Sequence, residues 1–112
     1  MPVYQTARFR VRPESLETCR RSIEEFVAHV TAHEPGTLTY VSLQERDDPT
    51  SFLHVFVFQD EAAHDRHANS DAVKRFTAVL YPETLAPVEF TEYRMVATAQ
   101  GALRAGLKRL LD

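Results

Sequence analysis

The segment Ser51–Phe58 reads SFLHVFVF, and an extended chain places Phe52, Phe56 and Phe58 on one face with Leu53, Val55 and Val57 on the other. Both faces demand burial, which helices packed on one side of a sheet cannot supply. The second face must meet another surface, most simply the same sheet of a second copy of the chain. A homodimer is therefore expected from this strand alone.

The flanking sequence supplies partners for it. Residues 3–11, VYQTARFRV, alternate with Val3, Gln5, Ala7, Phe9 and Val11 on one face, as in a half-buried strand. From Pro13 to His33 the apolar positions Leu16, Cys19, Ile23, Phe26, Val27 and Val30 recur at three- and four-residue steps, which predicts an amphipathic helix stopped by Glu34-Pro35-Gly36. TLTYVSLQER follows and is joined to SFLHVFVF by the turn-forming Asp47-Asp48-Pro49-Thr50, giving an antiparallel hairpin. Asp60 caps a second helix that continues, past a polar hitch at Asn69-Ser70-Asp71, to Leu80. VEFTEYRMV, residues 88–96, is the fourth strand. The order βαββαβ predicts an α+β, ferredoxin-like fold, a four-stranded antiparallel sheet with its helices on one face. Residues 1–96 form that domain. Residues 97–112, with Leu103, Leu107, Leu110 and Leu111 at helical spacing, read as a C-terminal helical extension.

At 112 residues with 44% hydrophobic side chains, the chain has the size and composition of one globular domain that needs no staple. The single Cys19 cannot form an internal disulfide and lies on the apolar stripe of the first helix. The opening MPVYQTARFRV lacks the apolar core of a signal peptide, so a cytoplasmic location is expected. A net charge of −3 disfavours nucleic acid as partner, and no apolar run has membrane-spanning length. The glycines, Gly36, Gly101 and Gly106, form no phosphate-cradling loop, so no nucleotide cofactor is expected.

Chemistry-bearing side chains concentrate in DEAAHDRHANS, residues 60–70, where His64 and His67 stand three apart on the second helix. The pair can face a cleft, hold a metal with Glu61, Asp65 and the strand-borne His54, or wet the helix surface; spacing alone does not make a metal site, and none is expected. His64 reads as solvent-facing. His29 and His33 suit the C-terminal end of the first helix, where imidazolium groups favour the dipole. Gln5 shares the helix-facing side of its strand with apolar residues, so its amide either bonds to backbone or points into a pocket as a substrate ligand. Tyr40, Tyr81 and Tyr93 are further candidate pocket hydroxyls.

Glu34-Pro35-Gly36 ahead of a strand containing Tyr40, an aromatic strand ending at Phe58, and Asp60-Glu61-Ala62-Ala63 followed by His67 and Ser70 together resemble the antibiotic biosynthesis monooxygenase domain over about residues 3–96. The resemblance implies a dimeric α+β barrel with a pocket in each subunit between sheet and helices. It also implies a monooxygenase that oxidises a small aromatic or quinol-like molecule with molecular oxygen and no cofactor. His67 matches the family's helix histidine and is the candidate base, or else a polar anchor or a residue bonded to a neighbour. Phe58 stands where many relatives carry tryptophan and is the expected pocket wall. Ala7 and Thr77 stand where the haem-degrading branch has asparagine and histidine, and Asp71 replaces a second family histidine, so haem degradation is not expected. A non-enzymatic ligand-binding barrel, or an isomerase or decarboxylase on the same scaffold, are the alternative readings.

Overall fold

Alternation and turn chemistry translate directly into four strands. The computed structural model describes residues 1–99, with β1 at Val3–Arg10, β2 at Thr37–Gln44, β3 at Ser51–Phe58 and β4 at Glu89–Tyr93. The order across the sheet is β2-β3-β1-β4 and every pairing is antiparallel. β3 is thus an inner strand, as its doubly apolar pattern requires. The β2–β3 turn is held by Asp48, whose carboxylate accepts from the Thr50 hydroxyl at 2.6 Å and the Thr50 N–H at 3.2 Å. Those bonds, with nearby Arg10, keep the Asp48 carboxyl below its usual range.

Three helices cover one face. After a single 3-10 turn at Pro13–Ser15, α1 runs Leu16–His33 and buries Cys19, Ile23, Phe26 and Val30. The expected second helix divides at the polar hitch into α2 (Glu61–Ala68) and α3 (Asp71–Leu80). The Asp60 carboxylate accepts from Ala63 N at 2.8 Å to start α2, and Ser70 Oγ accepts from Val73 N at 3.1 Å to start α3. Each is an N-cap bond worth about 1 kcal/mol. The hitch is therefore a second helix start.

The main core joins Phe9 and Phe52 of the sheet to α1 and α3, with Phe26 and Phe76 stacked at 4.4 Å between ring centroids. A smaller core of Val3, Ala7, Phe56, Phe58 and Ala63 lies beneath α2. Tyr40 and Val88 pack against both. The opposite face of the sheet carries no helix among the described residues. There the pairing aligns Leu53 with Leu43 and Arg8, and Val55 with Val41 and Thr6. Val41 and Leu43 are 40% and 48% exposed. β4 is shorter than residues 88–96, and the expected helix of residues 97–112 falls largely outside the described residues. No described helix is long and apolar enough to cross a membrane.

Candidate functional site

The site begins where α1 ends. Glu34 is the C-cap residue of α1, and Pro35-Gly36 turns the chain into β2. A Cβ on Gly36 would lie 2.7 Å from the Ala63 Cβ and 3.2 Å from a guanidinium nitrogen of Arg66. Glycine is needed here for room, since α2 docks directly over this turn. One helical turn beyond Ala63, His67 then reaches Glu34, with Nδ1 2.7 Å from Glu34 Oε1 and the side chains only 12% and 16% exposed. Thr37 Oγ1 donates to the same oxygen at 2.8 Å. A carboxylate can only accept, so Nδ1 carries a proton and in the neutral ring the Nε2 lone pair is free. The imidazole is further fixed by Phe58 at 5.1 Å and Phe26 at 5.7 Å between centroids. Glu34 Oε2 is buried with no hydrogen-bond partner among the described residues. Such an atom costs about 1–3 kcal/mol, a cost expected where function rather than packing sets the position.

Glu34 borders a separate surface hollow beside Pro35 and Gly36. On the other side of His67 lies a cavity of about 260 Å³ between the sheet and α2 and α3. Phe9, Phe26, Phe56, Phe76 and Leu80 give it apolar walls, and Gln5, Tyr40, His54, His64, His67 and Tyr81 supply polar groups. The Glu34–His67 pair thus sits at the edge of an aromatic chamber, with His67 lining both the chamber and the hollow beside Glu34.

Four of the residues singled out from the sequence, His67, Gln5, Tyr40 and Tyr81, meet at this cavity. Phe58 does not. It is 0% exposed and packs behind His67, so the expected pocket wall is instead a support for the imidazole. His64 is also displaced from its expected role: its side chain is 25% exposed, lies edge-on to Phe58 at 5.2 Å, and borders the cavity while bonding to Asp65 at 3.1 Å. Tyr93 lies on the far side of the sheet, opposite Tyr4, 54% exposed.

Two participants escaped the sequence reading. Glu34 was legible as a helix stop and as part of the family-like Glu34-Pro35-Gly36 stretch, but not as the partner of His67, which is 33 residues away. His54 was legible only as a possible ligand, yet it is 1% exposed and both its nitrogens are engaged, Nδ1 with the Tyr40 hydroxyl at 2.8 Å and Nε2 with Ser42 Oγ at 2.9 Å. The strand register creates this, since Ser42 is the residue opposite His54. Burial holds the His54 imidazole down to about 4. Burial, then the negative charge of Glu34 and proximity to Tyr81, push the Tyr40 phenol above its usual range. Both groups are neutral near pH 7. Glu61, His64 and Asp65 can each bring a ligand atom within 4.8 Å of the others, but Glu61 and Asp65 are exposed and His67 is turned away to Glu34.

Fold and site together define a ferredoxin-like α+β protein with a carboxylate-anchored histidine at an aromatic cavity. The antibiotic biosynthesis monooxygenase family profile matches residues 2–79, and the chain belongs to that family. Among solved structures it is similar to a protein of Bacteroides thetaiotaomicron, at 19% identity and TM-score 0.82 over 90% of this chain and 95% of that one. It also resembles a Pseudomonas aeruginosa protein at 26% identity and TM-score 0.76, covering 86% and 95% of the two chains. A Mycobacterium tuberculosis protein matches at 22% identity and TM-score 0.79, covering 89% and 100%. Comparison with curated proteins finds no match.

Proposed function

We propose that the protein is a homodimeric monooxygenase that oxidises a small phenolic or quinol-like aromatic with molecular oxygen, using no cofactor. The observation that carries this reading is the Glu34–His67 pair, whose imidazole lines an aromatic cavity of about 260 Å³. That volume is just below the usual range for drug-sized ligands, about 300–1,000 Å³, and suits one or two fused rings. His67 Nε2 takes the phenolic proton while Glu34 holds the imidazole and stabilises the imidazolium that forms. The resulting phenolate is electron-rich enough to pass one electron to triplet oxygen, and the apolar walls keep water from solvating it. Overall, one atom of O2 becomes a ring oxygen in place of a C–H hydrogen, and the other leaves as water with two hydrogens lost from the substrate, one from that C–H and one from a hydroxyl, giving a quinone. The exposed Val41 and Leu43 beside Leu53 and Val55 support sheet-to-sheet pairing of two copies.

Oxygen uptake against a panel of hydroquinones and naphthols tests this. His67→Ala is expected to lower kcat/KM by about 100- to 10,000-fold, the range for losing a general base. Glu34→Gln is expected to lower it by about 10- to 100-fold, as a charge-assisted bond becomes a neutral one and the ring can reverse its tautomer. His64→Ala should have a far smaller effect, and activity should survive EDTA. Equal losses in His64→Ala and His67→Ala, or activity abolished by EDTA and restored by a divalent ion, would make the α2 histidines metal ligands instead. Substrate turnover without oxygen uptake would point to enolisation chemistry at the same base.

A further inference from the structure

On the sheet side of the cavity three neutral groups are hydrogen-bonded in series: the Tyr40 hydroxyl, the His54 imidazole and the Ser42 hydroxyl, spaced 2.8 and 2.9 Å. Tyr40 and His54 border the cavity, whereas Ser42 lies on β2, at the sheet edge. Phe9 packs edge-on against the His54 ring at 5.0 Å and Phe76 lies parallel to it at 6.4 Å, so the ring plane is fixed. A neutral imidazole carries one proton and each hydroxyl carries one, which allows two complete arrangements. In the first, Ser42 donates to Nε2, Nδ1–H donates to the Tyr40 oxygen, and the Tyr40 O–H is free to donate into the cavity. In the second, Tyr40 donates to Nδ1, Nε2–H donates to Ser42, and the Tyr40 oxygen is free to accept from the cavity. The three groups hold the same number of protons in both, and neither contains a charge.

We propose that Tyr40, His54 and Ser42 form a reversible hydrogen-bond relay through which the cavity recognises the ring oxygen of its ligand both as the hydroxyl of the reduced aromatic and as the carbonyl of the oxidised one. The proposal rests on the reading of the cavity as an aromatic substrate site, and it makes Tyr40 the residue that contacts the ligand, with His54 and Ser42 as positioning residues. A lone tyrosine at the protein surface can serve as either donor or acceptor by rotating its proton. A buried tyrosine held to one nitrogen can do so only if that nitrogen also changes role, which the Ser42 hydroxyl permits. One pocket then holds a quinol before oxidation, one hydroxyl facing His67 and the other Tyr40, and a quinone after it, without leaving the Tyr40–His54–Ser42 groups unpaired in either state.

The test uses full-length protein labelled with ¹⁵N at histidine, and two bicyclic probes of nearly equal shape, 1-naphthol as hydroxyl donor and 1-tetralone as acceptor only. Ring ¹⁵N spectra should report His54 protonated at Nε2 with 1-naphthol and at Nδ1 with 1-tetralone. Tyr40→Phe should weaken both probes by about threefold to tenfold, the worth of one neutral hydrogen bond. Ser42→Ala leaves Nε2 without a partner in either arrangement, so it should weaken both probes. The spectra of the unmutated protein decide the matter even where a variant folds poorly. The same His54 tautomer with both probes bound overturns the relay and leaves the proposed activity standing. Binding of only one probe at millimolar concentration overturns the relay, and failure of both overturns the aromatic-site reading and the relay with it.

Discussion

Replacing Gly36 with alanine tests whether the docking of α2 is what brings His67 to Glu34. The added Cβ would start 2.7 Å from the Ala63 Cβ, whereas carbon atoms pack favourably at about 3.5–4.0 Å. The turn and α2 must therefore separate by roughly 1 Å, and neither atom belongs to a flexible side chain that can swing away. Overpacking of this size costs about 1–3 kcal/mol, which for a domain near 100 residues lowers Tm by about 5–20 °C. Ala63→Gly removes the opposing Cβ but costs about 1 kcal/mol of helix propensity by itself. The double variant Gly36→Ala/Ala63→Gly should then lie well above the sum of the two losses, with a coupling of about 1–2 kcal/mol. Thermal and urea denaturation followed by circular dichroism measure all three. Gly36→Ala melting within a degree or two of the parent, or strict additivity in the double variant, would refute the argument that close approach at this glycine assembles the site.

The uncovered sheet face predicts that Val55→Asp yields monomers or aggregates, because a carboxylate would enter an apolar contact without a partner; light scattering at micromolar concentration reads the outcome, and a well-folded monomer of the unaltered protein would remove the premise. Acid sensitivity follows from His54, which burial holds down to about 4 against about 6.5 in an unfolded chain. The unfolded state takes up the proton first as pH falls, so this contribution is complete above pH ~6.5 and is lost as pH falls toward ~4, amounting to about 3 kcal/mol. The stability difference between pH 7 and pH 4.5, measured by urea denaturation, should therefore shrink by about 2–3 kcal/mol in His54→Gln; an unchanged difference would show that His54 is not buried neutral.

The fold was legible because its signals are local and redundant. The doubly apolar Ser51–Phe58, the helical spacing from Leu16 to Val30 and the Asp60 cap each specify an element without reference to the rest of the chain. Of the site, the residues carried by a short motif or a face pattern, His67, Gln5, Tyr40 and Tyr81, come together at the cavity. The misplaced and missed ones depend on relations that no window of sequence contains. Glu34 meets His67 through the packing of α2 on a glycine turn, and His54 meets Tyr40 and Ser42 through cross-strand register. Phe58 was assigned to the helix-facing side of its strand, but its place behind His67 depends on the packing of α2 on the sheet.

Among the described residues, Tyr40 and Val88 are the partly buried hydrophobic side chains packed against both clusters, and both line the chamber. The consequence is a division of labour that directed evolution can exploit. Positions on the outer lip, such as Tyr81 at 47% exposure and Phe90 at 56%, border the chamber yet belong to neither cluster. A saturation library at those two sites should therefore change which ring systems enter at little expense in folding, whereas randomising Tyr40 would disturb ligand choice and both cores at once.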